Sequence, residues 1–238
     1  MEDKYKLGLF LDPGREKLNA IKYLSKTALA KYQTLLYKLI DCIYDIQNNK
    51  VLTQSHLSLL EEGMRQPLEL IFSEYSGKYA AKLSHNFNEP KELFYKLAND
   101  SNSKIRFNAV TLMLCKPTED VIEYVLSKCV NDKSSSVRRK VADVCCRLNQ
   151  VKMIGILENQ FALEKNESVR RSMDFSIRLL RDGYILEEKD TDMCNLLVET
   201  CEGEILGVIL KKSVISEFGI KAIVEMIRRN GGLPSTLS

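Results

Sequence analysis

The stretch SSSVRRKVADV places Arg138, Arg139 and Lys140 in the chain's one run of three consecutive cations. Such a run could neutralise phosphates or fork onto carboxylates in bidentate pairs. Other groups with chemical potential are sparse. His56 and His85 are the only histidines, and neither has a nucleophile motif around it. Both fall at helix edges or turns, where a solvated or capping histidine is expected. The seven cysteines, at 42, 115, 129, 145, 146, 194 and 201, form no CxxC pair and sit mostly among apolar residues at helical spacing. Buried thiols of a reduced, intracellular protein fit that pattern, and no zinc-ligand spacing does. Glu61-Glu62, Glu119-Asp120 and Glu187-Glu188 are adjacent acids, and neighbours on a helix do not face one another, so a paired general acid and base is not indicated. With no phosphate-cradling glycine motif either, neither a metal nor a cofactor is expected.

Composition sets the frame that must position these groups. Hydrophobic residues make up 45% of the 238-residue chain and charged residues 28%, which indicates a folded protein rather than a disordered one. The formal net charge of +3 names no polyanionic partner, but it is unevenly spread: the count is +6 over residues 101–181 and −7 over 182–204. The opening MEDKYKLGLFLDPG lacks the shape of a secretory signal. No apolar run approaches the roughly 20 residues that span a bilayer, so a cytoplasmic protein with no membrane insertion is expected.

Apolar residues recur in steps of three and four from Leu18 through Ile21, Leu24, Ala28, Tyr32, Leu35, Leu39, Ile43 and Ile46, predicting amphipathic helix over about 13–47 with a break inside it. Further helices are predicted at 54–62 and 67–84, and from Pro90 onward in pairs. The acidic stretch 182–204 is expected as a solvated linker or helix face that could also dock a basic partner. Strand competes with helix only at 202–212, and a last helix is predicted at 214–230, closed by Gly231-Gly232.

Residues 90–181 repeat. DSNSKIRFNAVTLML from Asp100, DKSSSVRRKVADVCC from Asp132 and EKNESVRRSMDFSIR from Glu164 superimpose without a gap at a spacing of 32. Each runs an acid, four polar residues, a β-branched aliphatic and then arginine. The preceding helices keep the same register, with Leu93, Val125 and Leu157 aligned, then Leu97, Cys129 and Phe161, then Ala98, Val130 and Ala162. Two helices per unit at such a period mark an α-solenoid, in which a helix pair buries its apolar face only against its neighbours.

On the pairs Asp100 with Arg106, Asp132 with Arg138 and Glu164 with Arg170, this pattern resembles the HEAT-repeat family, over about residues 90–181. The spacing is short for the family, and Glu164 stands where aspartate is usual. The resemblance implies an all-α, right-handed solenoid: an N-terminal helical region over 1–89, three repeats over 90–181, and an acidic connector with a C-terminal helical cap over 182–238. The acid of each turn can accept from amides that start the second helix, and the arginine can fork onto acids or carbonyls of the adjacent turn.

In HEAT-like arrays the second helix commonly lines the concave side. The positions left over there are Phe107, Asn108 and Thr111 in the first unit, Arg139, Lys140 and Asp143 in the second, and Arg171, Ser172 and Phe175 in the third, with Arg178 further along; of these Phe107, Arg139, Lys140, Arg171, Phe175 and Arg178 are the candidate contacts. They would form a basic, aromatic-flanked ridge able to bind phosphates or an acidic protein face. The favoured expectation is a non-enzymatic binding or adaptor module for a protein partner, a class that includes regulators and inhibitors. A nucleic-acid binder using the ridge is the alternative. A third class, the small HEAT-like alkylpurine DNA glycosylases, shares the scaffold but relies on tryptophan-rich surfaces and a catalytic aspartate; this chain has no tryptophan, and fold alone carries no function.

Overall fold

The computed structural model describes residues 34–35, 38–39, 41–46, 51–66, 71–199, 205–230 and 232. The chain is mostly helical and carries one small sheet, and it divides into two compact units, Met1–Cys129 and Val130–Ser238. Of the long helix expected over 13–47, the part before residue 34 lies outside the described residues. Residues 41–46 are helical, with Cys42, Ile43 and Ile46 buried.

In the first unit, α1 (Gln54–Met64) opens on a capping box. The Thr53 hydroxyl accepts from the His56 amide at 3.3 Å, and His56 Nδ1 accepts from the Thr53 amide at 3.4 Å. Helix α2 (Ile71–Ser84) packs against α1, so closely that a side chain at Gly63 would collide with Ser76. Pro90 sits in the first turn of α3 (Glu89–Ala98), where its missing N–H costs nothing. Helix α4 (Ser103–Leu112) follows the Asn102 cap, and α5 (Glu119–Cys129) begins with two acids at its positive dipole end. Helix α3 packs on both α4 and α5 around fully buried Phe94, Leu97, Leu112, Met113 and Leu126.

In the second unit, α6 (Ser135–Arg147) and α8 (Glu167–Asp182) lie side by side, cross-linked where Ser176 Oγ donates to the Ala142 carbonyl at 2.8 Å. Helix α7 (Ile154–Leu163) packs on α8. The inward positions of the repeat are buried throughout this unit: Val137, Val141, Cys145, Val169, Met173 and Ile177. The first helix departs from its expected register, since Leu157 is buried but Phe161 is only half-buried and Ala162 is exposed.

The expectation of an all-helical C-terminal part is corrected. Helix α8 stops at Gly183, whose φ of 72° turns the chain straight into β1 (Tyr184–Glu188). β1 pairs antiparallel with β2 (Met193–Glu199), which pairs antiparallel with β3 (Ile205–Lys211), giving the order β1-β2-β3. Of the acids that suggested a linker, Glu187 and Glu188 sit at the end of β1 and Asp190 and Asp192 in the hairpin, where Asp190 Oδ1 accepts from the amides of Asp192 and Met193 at 2.9 and 2.8 Å. The competition at 202–212 resolves as strand for 205–211. Gly219, at φ 77°, splits the predicted last helix into α9 (Lys212–Phe218) and α10 (Ile220–Asn230).

Apolar side chains alternate across the sheet. Leu196, Val198 and Leu210 pack against Ile223, Val224 and Ile227 of α10, while Ile185 and Leu197 meet Cys146, Phe175 and Leu179 on the other face. Arg228 ties the layers together, donating from Nε to the Glu199 carbonyl at 3.1 Å and from Nη2 to the Gly183 carbonyl at 3.0 Å.

Candidate functional surface

The same turn recurs at each repeat. Asp100, Asp132 and Glu164 each accept, through one carboxylate oxygen, from the amide two residues on: Asn102 at 2.8 Å, Ser134 at 2.8 Å and Asn166 at 2.9 Å. Those three amides belong to the N-cap residues of α4, α6 and α8. The acid therefore shapes the turn that starts the second helix, and glutamate reaches the same amide as aspartate does.

The arginine six residues on first binds its own turn through main-chain carbonyls. Arg106 Nη1 donates to the carbonyls of Asp100 and Ser101 at 2.7 and 2.9 Å. Arg138 Nη1 donates to those of Asp132 and Lys133 at 2.6 and 3.2 Å. The rest of the Arg138 guanidinium forks onto Glu164, the acid of the following turn, with Nε–Oε2 at 2.5 Å and Nη2–Oε1 at 2.8 Å. Glu164 is 4% exposed, and the Arg138 fork, aided by the Asn166 amide, holds its carboxyl down at about 2. Arg138 thus joins two turns, with its carboxylate partner in the next turn rather than in its own. Arg170, at the end of the series, instead stacks its guanidinium 4.8 Å from the centre of the Phe161 ring.

Sequence reasoning missed the acid-pairing arginine ahead of the repeats. Arg65, just after α1, donates to Asp100 Oδ2 at 2.6 Å and to Glu61 at 2.9 Å. The Asn102 amide, with Arg65 adding to it, keeps Asp100 below the usual carboxylate range. Arg65 falls outside the period of 32, so no spacing announced it.

The proposed ridge fares differently. Lys140 pairs with Asp143 at 2.8 Å, Arg171 with Glu167 at 3.1 Å and Arg178 with Asp174 at 3.8 Å, each within its own helix. Arg139 is exposed and makes no ion pair among the described residues. Phe175 is half-buried against Cys146, Leu179 and Ile185 beneath the sheet, which leaves only part of its ring open to solvent. Phe107 is half-buried in the other unit. Of the four cations on α6 and α8, Lys140, Arg171 and Arg178 are thus each paired with an acid of their own helix.

Both histidines serve main-chain groups: His56 in the box that opens α1, and His85 facing the Lys116 carbonyl at 3.4 Å. No group of three or more metal-ligating side chains occurs among the described residues. Burial pushes the Cys145 and Cys146 thiols up to about 12, which leaves them protonated and inert.

What the surface does offer is apolar. Leu163, at the end of α7, is 73% exposed, and Val151 and Ile156 are exposed before it. The preceding repeat holds Glu119, Tyr124 and Asn131 at these three positions. In the first unit, the rings of Tyr95 and Tyr124 lie 4.4 Å apart on the surface of α3 and α5, with Asn99 donating to the Tyr124 hydroxyl at 2.9 Å. Among the described residues, no helix is long and apolar enough to cross a membrane. Compared with family models, curated proteins and solved structures, the chain finds no match.

Proposed function

We propose that this chain is a non-enzymatic binding module of HEAT type, a solenoid of helix pairs that presents a helical surface to a protein partner in a reduced, intracellular setting. The observation that carries the proposal is the exposure of Val151, Ile156 and Leu163 on and just before α7, together with the ion pairing of most of the cations expected to bind phosphates. Repeat positions filled by glutamate, tyrosine and asparagine in one unit become Val151, Ile156 and Leu163 in the next, while three of the four ridge cations are held by acids on their own helices. Exposed aliphatic side chains desolvate readily against another protein and have no affinity for phosphates. The recurrent turn, in which an acid sets the N-cap amide of the second helix, and the Arg138 bridge to Glu164 of the following turn support the HEAT-type assignment.

The experiment is capture from native lysate with the chain as bait, with and without nuclease, alongside a Leu163→Asp variant. A specific protein retained after nuclease and lost with Leu163→Asp supports the proposal. Retention only of nucleic acid, with affinity falling steeply as salt rises, would instead favour a nucleic-acid role centred on Arg139.

A further inference from the structure

The sheet has one unguarded edge. β3 pairs with β2 along its whole length, and its other side meets no strand among the described residues. Such an edge leaves alternate N–H and C=O groups unpaired, and folded proteins commonly block it with charge, proline or a bulge. Over residues 205–210 β3 has none of these: the register with β2 is unbroken and the residues are Ile, Leu, Gly, Val, Ile and Leu. The opposite edge differs, since β1 is shorter and carries Glu187 and Glu188. One face of β3 is committed to the core through Leu206, Val208 and Leu210. On the other, Ile205 and Ile209 remain 39% and 50% exposed on either side of Gly207.

We propose that this edge pairs with the same edge of a second copy of the chain, antiparallel about a two-fold axis at Val208, to make one continuous sheet. The strand is complementary to itself in that arrangement. Ile209 lies opposite Gly207 of the second copy and meets the Leu197 side chain that leans over that glycine, its Cδ2 3.3 Å from where a Cβ would stand, and Ile205 lies opposite Lys211, whose aliphatic stem covers it. No like charges stand opposite one another. Lys211 is the one charged residue of β3, and antiparallel alignment sets the two copies of it at opposite ends, whereas parallel alignment would set them side by side. An isologous contact of this kind closes after two copies, whereas pairing β3 with β1 of another copy would leave edges open to further growth.

Sedimentation equilibrium of the full chain at micromolar concentration tests this. The expected mass is twice 27.2 kDa. Ile209→Lys, at an exposed position, is expected to return the single-chain mass with an unchanged circular dichroism spectrum, and Leu163→Lys on α7 to keep the doubled mass. A wild-type chain that sediments as one copy overturns the proposal, even if a partner's strand can take the edge instead. A dimer that survives Ile209→Lys, or that is lost in Leu163→Lys, overturns it as well. Should Ile209→Lys fail to fold, amide exchange of the wild type decides: protection of β3 must rise with concentration while β1 stays constant, and concentration-independent exchange in β3 refutes the pairing.

Discussion

Arg138→Ala probes the joint between two repeats. In the folded chain the Glu164 carboxyl lies at about 2 against an ordinary 4.5, chiefly because Arg138 forks onto it. That gap corresponds to roughly 3 kcal/mol of stability. A carboxyl depressed on folding contributes fully above about 4.5 and loses its contribution as the pH falls through about 2. Without Arg138, a carboxylate that is 4% exposed stays buried without its guanidinium partner, and two carbonyls of the preceding turn lose a donor. Removing one member of a buried pair typically costs about 3–5 kcal/mol, a large share of a domain's stability. Urea unfolding near neutral pH should therefore show a loss of about 3 kcal/mol, and the difference from wild type should shrink in acid as Glu164 is protonated in both chains. Arg139→Ala should change stability by less than about 0.5 kcal/mol. Replacing both partners, as Arg138→Met with Glu164→Leu, should recover most of the loss. Equal destabilisation by Arg138→Ala and Arg139→Ala, or a loss that does not vary with pH, would refute the division of the cationic triplet into one structural and two surface residues.

Phe175→Ala should cost about 2 kcal/mol in thermal unfolding, because the ring packs beneath the sheet; an unchanged melting curve would return Phe175 to the surface. Gly183→Ala should destabilise by about 1–3 kcal/mol, since it needs a left-handed backbone and its side chain would collide with the Arg228 guanidinium; a silent substitution would show that Arg228 does not clamp the helix end to the sheet. In the native chain near neutral pH, Cys145 and Cys146 should resist thiol reagents that modify the half-buried Cys115, with mass-spectrometric mapping as the readout and reaction after denaturation as the control; rapid native modification of either would contradict their burial.

The repeat was legible because the turn and the start of the second helix recur every 32 residues, so the acids, the N-cap positions and the inward apolar residues keep phase. What the arginines touch was not legible. Arg138 finds its carboxylate 26 residues downstream, a distance that only the stacking of α6 and α8 makes short. The sheet was hidden by its own acids: Glu187, Glu188, Asp190 and Asp192 gave 182–204 the composition of a linker, although Cys194, Leu196 and Val198 alternate as a strand requires. Phe175 was misplaced for the same reason, since the surface that covers it comes from that sheet. On α7 the register predicted burial at Phe161 and Ala162, and the helix instead leaves apolar side chains in solvent. That departure is what places the proposed binding surface on α7.

Nuclease-treated capture with wild-type and Leu163→Asp chains tests the central claim most directly. One or a few proteins should be retained by the wild type regardless of nuclease, and released when a charge is placed at the 73% exposed position on α7. A retained set that disappears with nuclease, or that binds Leu163→Asp equally well, would contradict it.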